Sequence, residues 1–220
     1  MTFHIVTLFP GAFDSYFSES ILKRAIEDKK ISVKFYNPRD YTEGTWRRVD
    51  QKPYGGGPGM VLQSEPVIKA IAAALKKINP PRRRTSAKIV FFSPAGKQFD
   101  TLYAKTAAKK FTDIVFICGR YEGIDARVKK IFKAEEISVG PYVLTGGELP
   151  AMIMIDCISR QVRGVLGDFA SLEESRVSSS DVYTRPAQIV YKGKKYFVPK
   201  ILLSGHHKKI DEWKNKNRKK

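Results

Sequence analysis

Lys88–Asp125 reads KIVFFSPAGKQFDTLYAKTAAKKFTDIVFICGRYEGID, and two apolar runs inside it decide the fold class. Ile89–Phe92 and Ile114–Cys118 are short and contain no polar residue. Runs of that kind form strands buried on both faces, as in a parallel sheet. Each run ends in a glycine-bearing loop, Ser93–Gly96 (SPAG) and Gly119–Asp125 (GRYEGID), and a helical pattern follows, near Asp100–Lys110 and Asp125–Phe132. The theme repeats downstream: a strand over Ala134–Val139, the loop Gly140–Gly147 (GPYVLTGG), and a helix from Glu148 to about Val162. Strands alternating with helices predict an α/β fold.

Toward the N-terminus, Phe3–Phe9 is β-branched and aromatic and stops at Pro10–Gly11, which marks a strand. Phe13, Phe17, Ile21 and Ala25 are spaced four apart and predict one helix. Ile31–Tyr36 reads as a second strand, Asp40–Met60 as a long aperiodic loop, and Ser64 as the cap of a helix through Ile78. Toward the C-terminus the chain changes character near Gly164. Gly164–Asp181 holds five serines and few aliphatics; the tail from Val182 is basic and closes on HHKKIDEWKNKNRKK, one helix anchored by Ile210 and Trp213. The expected organisation is a catalytic domain over 1–163, a linker over 164–181 and a short C-terminal domain over 182–220.

Forty Lys and Arg against 22 Asp and Glu give a net charge of +18. Such a surface attracts polyanions and gains from counterion release, so nucleic acid is the expected partner; a solubility device is the alternative. Cys118 and Cys157 form no CxxC pair, and His4, His206 and His207 offer no metal-ligand spacing, so two reduced thiols are expected. MTFHIVTLFPGAF has no basic front end or cleavage site and reads as a first strand. No run approaches the roughly 20 apolar residues of a membrane span. The expected location is the cytoplasm, with no membrane partner.

In α/β sheets ligands collect at the carboxyl ends of strands. The loops Ser93–Gly96, Gly119–Asp125 and Gly140–Gly147 can form one pocket that reads a ligand through backbone groups; three tight turns would give the same pattern. No GxGxxG or GxxxxGK[ST] occurs, which excludes a standard dinucleotide site or P-loop. A fourth loop, Pro53–Met60 (PYGGGPGM), sets four glycines among stiff prolines and reads as a shaped loop beside a ligand or partner.

PYGGGPGM, CGRYEGID (Cys118–Asp125), GPYVLTGGELP (Gly140–Pro150) and YTRP (Tyr183–Pro186), taken together and in this order, resemble the bacterial tRNA (guanine-N1)-methyltransferases of the SPOUT class. The resemblance runs from Phe3 to about Trp213. It implies S-adenosylmethionine-dependent methylation of guanine N1 at position 37 of tRNA, next to the anticodon. It also implies a parallel sheet with a deep trefoil knot, a small, mainly helical C-terminal domain that binds tRNA, and a homodimer with shared active sites. A magnesium requirement comes with it, without a site, and DNA is not an expected partner. Matching motif to motif, the cofactor is expected at Pro94, Gly96, Gly119, Tyr121, Glu122, Gly123, Val139, Gly140, Pro141, Tyr142, Val143, Leu144, Gly146 and Gly147. Ala151–Ile155 (AMIMI) is apolar around most of a helix, which suits a core or an interface equally.

Guanine N1 carries a proton at neutral pH, so attack needs a base, and charge developing at O6 needs a positive neighbour. The resemblance gives these roles to an aspartate and an arginine. The arginine matches Arg160; the aspartate falls on Glu174 in SLEESR, with Glu173 and Asp181 as alternatives. Pro141 stands where an aspartate is usual, and Trp46 and Gln51 where His and Asp are common. Arg48, Lys52, Tyr183 and Arg185 are expected on RNA, joined by Arg47, Arg82–Arg84, Lys192–Lys195 and Lys208–Lys209 as phosphate contacts. Two other readings remain: a SPOUT enzyme acting on another RNA, and an RNA-binding protein that has kept the fold without the chemistry.

Overall fold

The elements in chain order are β1 (Thr2–Val6), α1 (Asp14–Phe17), α2 (Ser20–Glu27), β2 (Ser32–Tyr36), β3 (Asp50–Gln51), β4 (Val61–Leu62) and α3 (Ser64–Ile78). They continue with β5 (Ala87–Gln98), α4 (Thr101–Lys110), β6 (Asp113–Ile117), α5 (Ala126–Ile131), β7 (Glu135–Ser138) and α6 (Glu148–Ser159). The tail supplies β8 (Gln188–Tyr191), β9 (Lys194–Phe197), α7 (Lys200–Leu203) and α8 (His207–Lys216). The computed structural model describes residues 1–43, 45–78, 87–166 and 181–217. The chain divides into two units, Met1–Leu166 and Gly167–Lys220.

In the first unit five strands pair in parallel, in the order β2-β1-β6-β5-β7. β6 lies at the centre and is buried at every residue, the apolar run Ile114–Ile117 by its composition and Asp113 through its partners His4 and Thr112. Alternation along the strands splits the core into two layers. Phe3, Ile5, Ile114, Phe116 and Ile137 pack with Ala104 and Ala107 of α4 and with Ala151, Met154, Ile155 and Ile158 of α6. Val6, Val115 and Ile117 pack on the other face with Val67, Ala70, Ile71 and Ala74 of α3. Each fully buried large side chain contributes roughly 1.5–3 kcal/mol. One polar cluster shares the interior. His4 is buried, with Nδ1 taking the Tyr36 hydroxyl at 3.0 Å and Nε2 giving its hydrogen to Asp113 Oδ1 at 3.1 Å.

Four local expectations change. The single helix expected across Phe13–Ala25 is a 3₁₀ turn (Pro10–Phe13) followed by α1 and α2. The break lies where the Ser18 hydroxyl bonds back to the Asp14 carbonyl at 2.6 Å and Ser20 takes φ 51°. The loop Asp40–Met60 contains β3, which pairs antiparallel with β4. β5 runs on through SPAG to Gln98: Ile137 pairs with both Phe92 and Lys97, so Ser93–Gly96 bulges out of a strand that then resumes. Val165, in the expected linker, packs against the first unit's core, and its N–H bonds to the Val162 carbonyl at 3.2 Å. The rest of the expected linker, 167–180, lies outside the described residues.

In the second unit the expectation of a mainly helical tail overlooks a hairpin. β8 and β9 pair antiparallel around Lys192–Gly193, with φ values of 48° and 76°. Positive φ at both central residues is what a two-residue turn needs to follow the strand twist. The signal was weak because lysine, rather than Asn or Asp, precedes the glycine. α7 and α8 follow, and Tyr183 rests on Trp213 of α8 with ring centroids 6.4 Å apart.

Candidate active site

Three segments, the Ser93–Gly96 bulge within β5 and the loops that follow β6 and β7, line one cavity of about 370 Å³. Of the fourteen residues expected at a cofactor, twelve line it: Pro94; Gly119, Tyr121, Glu122 and Gly123; and Val139, Gly140, Tyr142, Val143, Leu144, Gly146 and Gly147. Gly96 and Pro141 do not. Gly96 stands behind the wall, packed so closely on β7 that a Cβ would lie 2.6 Å from the Glu136 carbonyl carbon. Pro141 points out to solvent.

The loops are tied together by backbone contacts. The Gly147 N–H bonds to the Gly119 carbonyl at 3.0 Å, and Arg120 and Gly146 pair as an isolated bridge. A Cβ on Gly147 would lie 2.6 Å from Cys118 Cα, so only glycine lets α6 start this close to the end of β6. PYGGGPGM is zipped to the second loop. Glu122 N–H bonds to the Met60 carbonyl, Leu62 N–H to the Gly123 carbonyl, and Asp125 N–H to the Leu62 carbonyl, each at 3.0 Å. Gly59 has φ +83°, and a Cβ there would strike the Glu122 side chain at 2.6 Å. The shaped-loop reading of this stretch therefore has a geometric cause.

Behind the cavity a buried charge holds the frame. Glu148, the first residue of α6, accepts from the Thr7 hydroxyl at 2.7 Å through Oε1 and meets Arg120 Nε at 3.0 Å through Oε2. The Arg120 guanidinium also lies 4.6 Å from the centre of the Phe9 ring and donates to the Thr145 carbonyl at 3.4 Å. A carboxylate at a helix N-terminus is further favoured by the helix dipole. Cys118 lies buried beside this network, and burial pushes its thiol well above the ordinary range, which leaves it unreactive. No disulfide joins it to half-buried Cys157.

Sequence reading missed Arg120, Glu136 and Lys129 in the cavity wall, where Lys129 Nζ and Glu136 Oε1 are 2.8 Å apart. Arg120 sits inside the quoted GRYEGID and could have been found there; Lys129 and Glu136 carry no motif. Tyr121 holds a left-handed φ of 58°, rare for a bulky residue and a frequent mark of a ligand site. The size suits a small organic ligand, whose pockets run roughly 300–1,000 Å³. The lining suits it too, with apolar Phe92, Ile137 and Leu144 beside several glycines that leave backbone groups open to approach.

Of the expected catalytic pair, only Arg160 is described, and it is not at this cavity. Arg160 caps the far end of α6, ten residues beyond Pro150, the last cavity residue on that helix. At 1.5 Å per residue the gap is about 15 Å, longer than an arginine side chain. Glu174 and Glu173 lie outside the described residues, as do Arg82–Arg84; Asp181 is described and exposed. Arg48 and Lys52 are exposed on the first unit, and Tyr183 and Arg185 on the second. Among the described residues no group of three His, Cys, Asp or Glu gathers to hold a metal, and no helix is long and apolar enough to cross a membrane.

A family model described as tRNA (Guanine-1)-methyltransferase TrmD matches residues 1–220. The chain is 45% identical over 218 residues to a tRNA (guanine-N(1)-)-methyltransferase of Clostridioides difficile, covering 97% of this chain and 90% of that protein. It is 44% identical over 220 residues to one of Carboxydothermus hydrogenoformans, covering 98% and 82%, and 42% identical over 214 residues to one of Campylobacter jejuni, covering 96% and 88%.

Proposed function

We infer what the cavity does from one premise: this chain belongs to the tRNA (Guanine-1)-methyltransferase family. It transfers a methyl group to N1 of a guanine in tRNA. S-adenosylmethionine, when bound, supplies that methyl on a sulfonium. The observation that carries the reading is the convergence of three glycine-bearing segments on one 370 Å³ cavity beside the carboxyl ends of β6 and β7. We assign the acceptor to the guanosine at position 37, where a single-stranded loop lets the base leave its stack at modest cost.

Within this reading Tyr121, Tyr142 and the glycines of the second and third loops orient the cofactor, while the ion pair of Arg120 with Glu148 keeps those loops in register. Glu174 takes the N1 proton, and Arg160 stabilises charge at O6. Since about 15 Å of α6 separates Arg160 from the cavity of its own chain, the arginine acts at the cavity of a second copy. The same helix supports that assembly: Leu149 and Ile153 are 56% and 43% exposed on a helix whose other apolar residues are buried or half-buried. A homodimer covers them and completes two shared sites. The tight interlock of the second and third loops is in keeping with a deep trefoil knot, which belongs to this proposal. So do the division into a catalytic domain, a linker and a C-terminal tRNA-binding domain, and a cytoplasmic location.

On RNA we place exposed Arg48 and Lys52 from the first unit and Arg185 from the second. Tyr183, held against Trp213, ties the segment before β8 to α8. Magnesium keeps several waters and binds through few carboxylates plus phosphates. The described residues build no cage for it, and no step here depends on it.

The test is label transfer from S-adenosylmethionine to two tRNA transcripts that differ only at position 37. Label on the guanosine-37 transcript alone is expected. Equal label on both overturns the position, and cofactor binding with no transfer favours a non-catalytic RNA-binding protein.

A further inference from the structure

A second cavity, of about 360 Å³, opens between α4 and the edge of the sheet and shares no residue with the first. Three ammonium groups stand over two rings at its rim. Lys88 and Lys110 lie 6.0 and 5.7 Å from the centre of Phe111, and Lys97 lies 5.8 Å from the centre of Tyr103. Two carboxylates face them, and both are engaged. Asp100 caps α4 by accepting from the Tyr103 N–H at 2.7 Å. Glu135 uses one oxygen for Lys88 at 2.7 Å and for the Tyr103 hydroxyl at 2.9 Å. Burial works against ionising Glu135, yet the Lys88 ammonium and the Tyr103 hydroxyl hold its carboxyl below the usual range. It is thus an ionised anchor that fixes Lys88 and the ring.

The surrounding sequence adds charge of one sign. α4 carries Lys105, Lys109 and Lys110 and no acidic residue. Its last two lysines answer the dipole at the helix end, but Lys88 and Lys97 come from β5 and have no such reason to be there.

We propose that this lysine-rimmed cavity is a second contact for tRNA, gripping the phosphodiester backbone away from the methyl-transfer site. The identity of the polyanion rests on the tRNA reading above. Ammonium groups bind phosphate oxygens as point charges. Both rings already carry ammonium groups on a face, so the contact is made to backbone rather than to stacked bases and is independent of sequence.

The experiment measures tRNA binding against KCl concentration for the wild type, for Lys97→Gln/Lys110→Gln and for Lys97→Arg/Lys110→Arg, with S-adenosylmethionine affinity as the check on folding. Lys88 is left in place because it pairs with Glu135. Losing two phosphate contacts lowers the steepness of log K against log salt by about 1.4–1.8. The ratio of variant to wild-type Kd therefore shrinks roughly 7- to 12-fold between 50 and 200 mM salt. The arginine variant keeps the wild-type slope. Parallel lines with unchanged Kd for the glutamine variant overturn the proposal. So does loss of millimolar pyrophosphate binding with tRNA binding intact, which would mark a small-anion site. Because the readout is binding, the result stands apart from whether methyl transfer occurs.

Discussion

Replacing Arg120 by Met deletes a guanidinium while keeping most of the side chain's volume. It leaves the Glu148 carboxylate, whose side chain is 4% exposed, with the Thr7 hydroxyl as its remaining partner in the pair. Breaking a buried ion pair from one side costs about 3–5 kcal/mol. Arg120 itself is 25% exposed, and its Nε meets Glu148 Oε2 without hydrogen-bond alignment, so the loss falls to the lower end, about 3 kcal/mol. The ring contact with Phe9 at 4.6 Å adds about 0.5–1 kcal/mol. Glu148→Gln is milder, at about 1–2 kcal/mol, since its amide oxygen still accepts from Thr7 and the guanidinium can turn to solvent. In Arg120→Met/Glu148→Leu no buried charge is stranded, so the pair of changes is less harmful than Arg120→Met alone. Urea unfolding followed by circular dichroism gives the order, and equilibrium dialysis gives S-adenosylmethionine affinity. With the loops out of register by about 1 Å, turnover falls on the order of a hundredfold, and Arg120→Lys restores part of it. If Arg120→Met proves no more destabilising than Glu148→Gln, Arg120 does not neutralise that carboxylate and the account of the loop frame is wrong.

Gly147→Ala places a methyl 2.6 Å from Cys118 Cα, so the start of α6 must move; stability drops by about 1–3 kcal/mol and cofactor affinity falls, whereas unchanged affinity by calorimetry would show that the contact has slack. His4 is held below its ordinary 6.5, first by burial, with Asp113 working the other way. The unfolded chain therefore takes up this proton first, and stability present above about pH 6.5 is lost as pH falls toward the folded value. His4→Gln should flatten that decline, which is at most about 1.4 kcal/mol per pH unit for one proton; identical pH profiles between pH 7 and 5 would remove His4 as its source. Glu174→Gln should nearly abolish methyl transfer while leaving cofactor affinity intact, and undiminished turnover moves the base to Glu173 or Asp181.

The parallel sheet was legible because β6 and the first part of β5 carry unbroken apolar runs, and α3 because Ser64 and Pro66 mark its start. The split of the first helix was not, since the apolar spacing of Phe13, Phe17, Ile21 and Ala25 persists across a break made by Ser18 and Ser20. The return of β5 after SPAG was hidden for another reason: Lys97 and Gln98 are polar residues of an exposed strand end with no pattern to read. Twelve cavity residues were reachable because their glycines and tyrosines sit in motifs. Glu148 acts through Thr7 and Arg120, 141 and 28 residues away in the chain, and Lys129 and Glu136 pair across the turn from α5 into β7 outside any motif, so no local spacing encodes either pairing.

α6 is a rigid rod that begins at a cavity and ends at Arg160. If two copies trade these ends, lesions at opposite ends of the rod cancel in a mixed assembly. A chain damaged at Gly147 and a chain damaged at Arg160 then combine into one doubly broken centre and one intact centre. Two inert proteins, blended in equal amounts and allowed to exchange partners, recover about a quarter of full turnover. Inheritance of defects thus runs by helix end rather than by polypeptide.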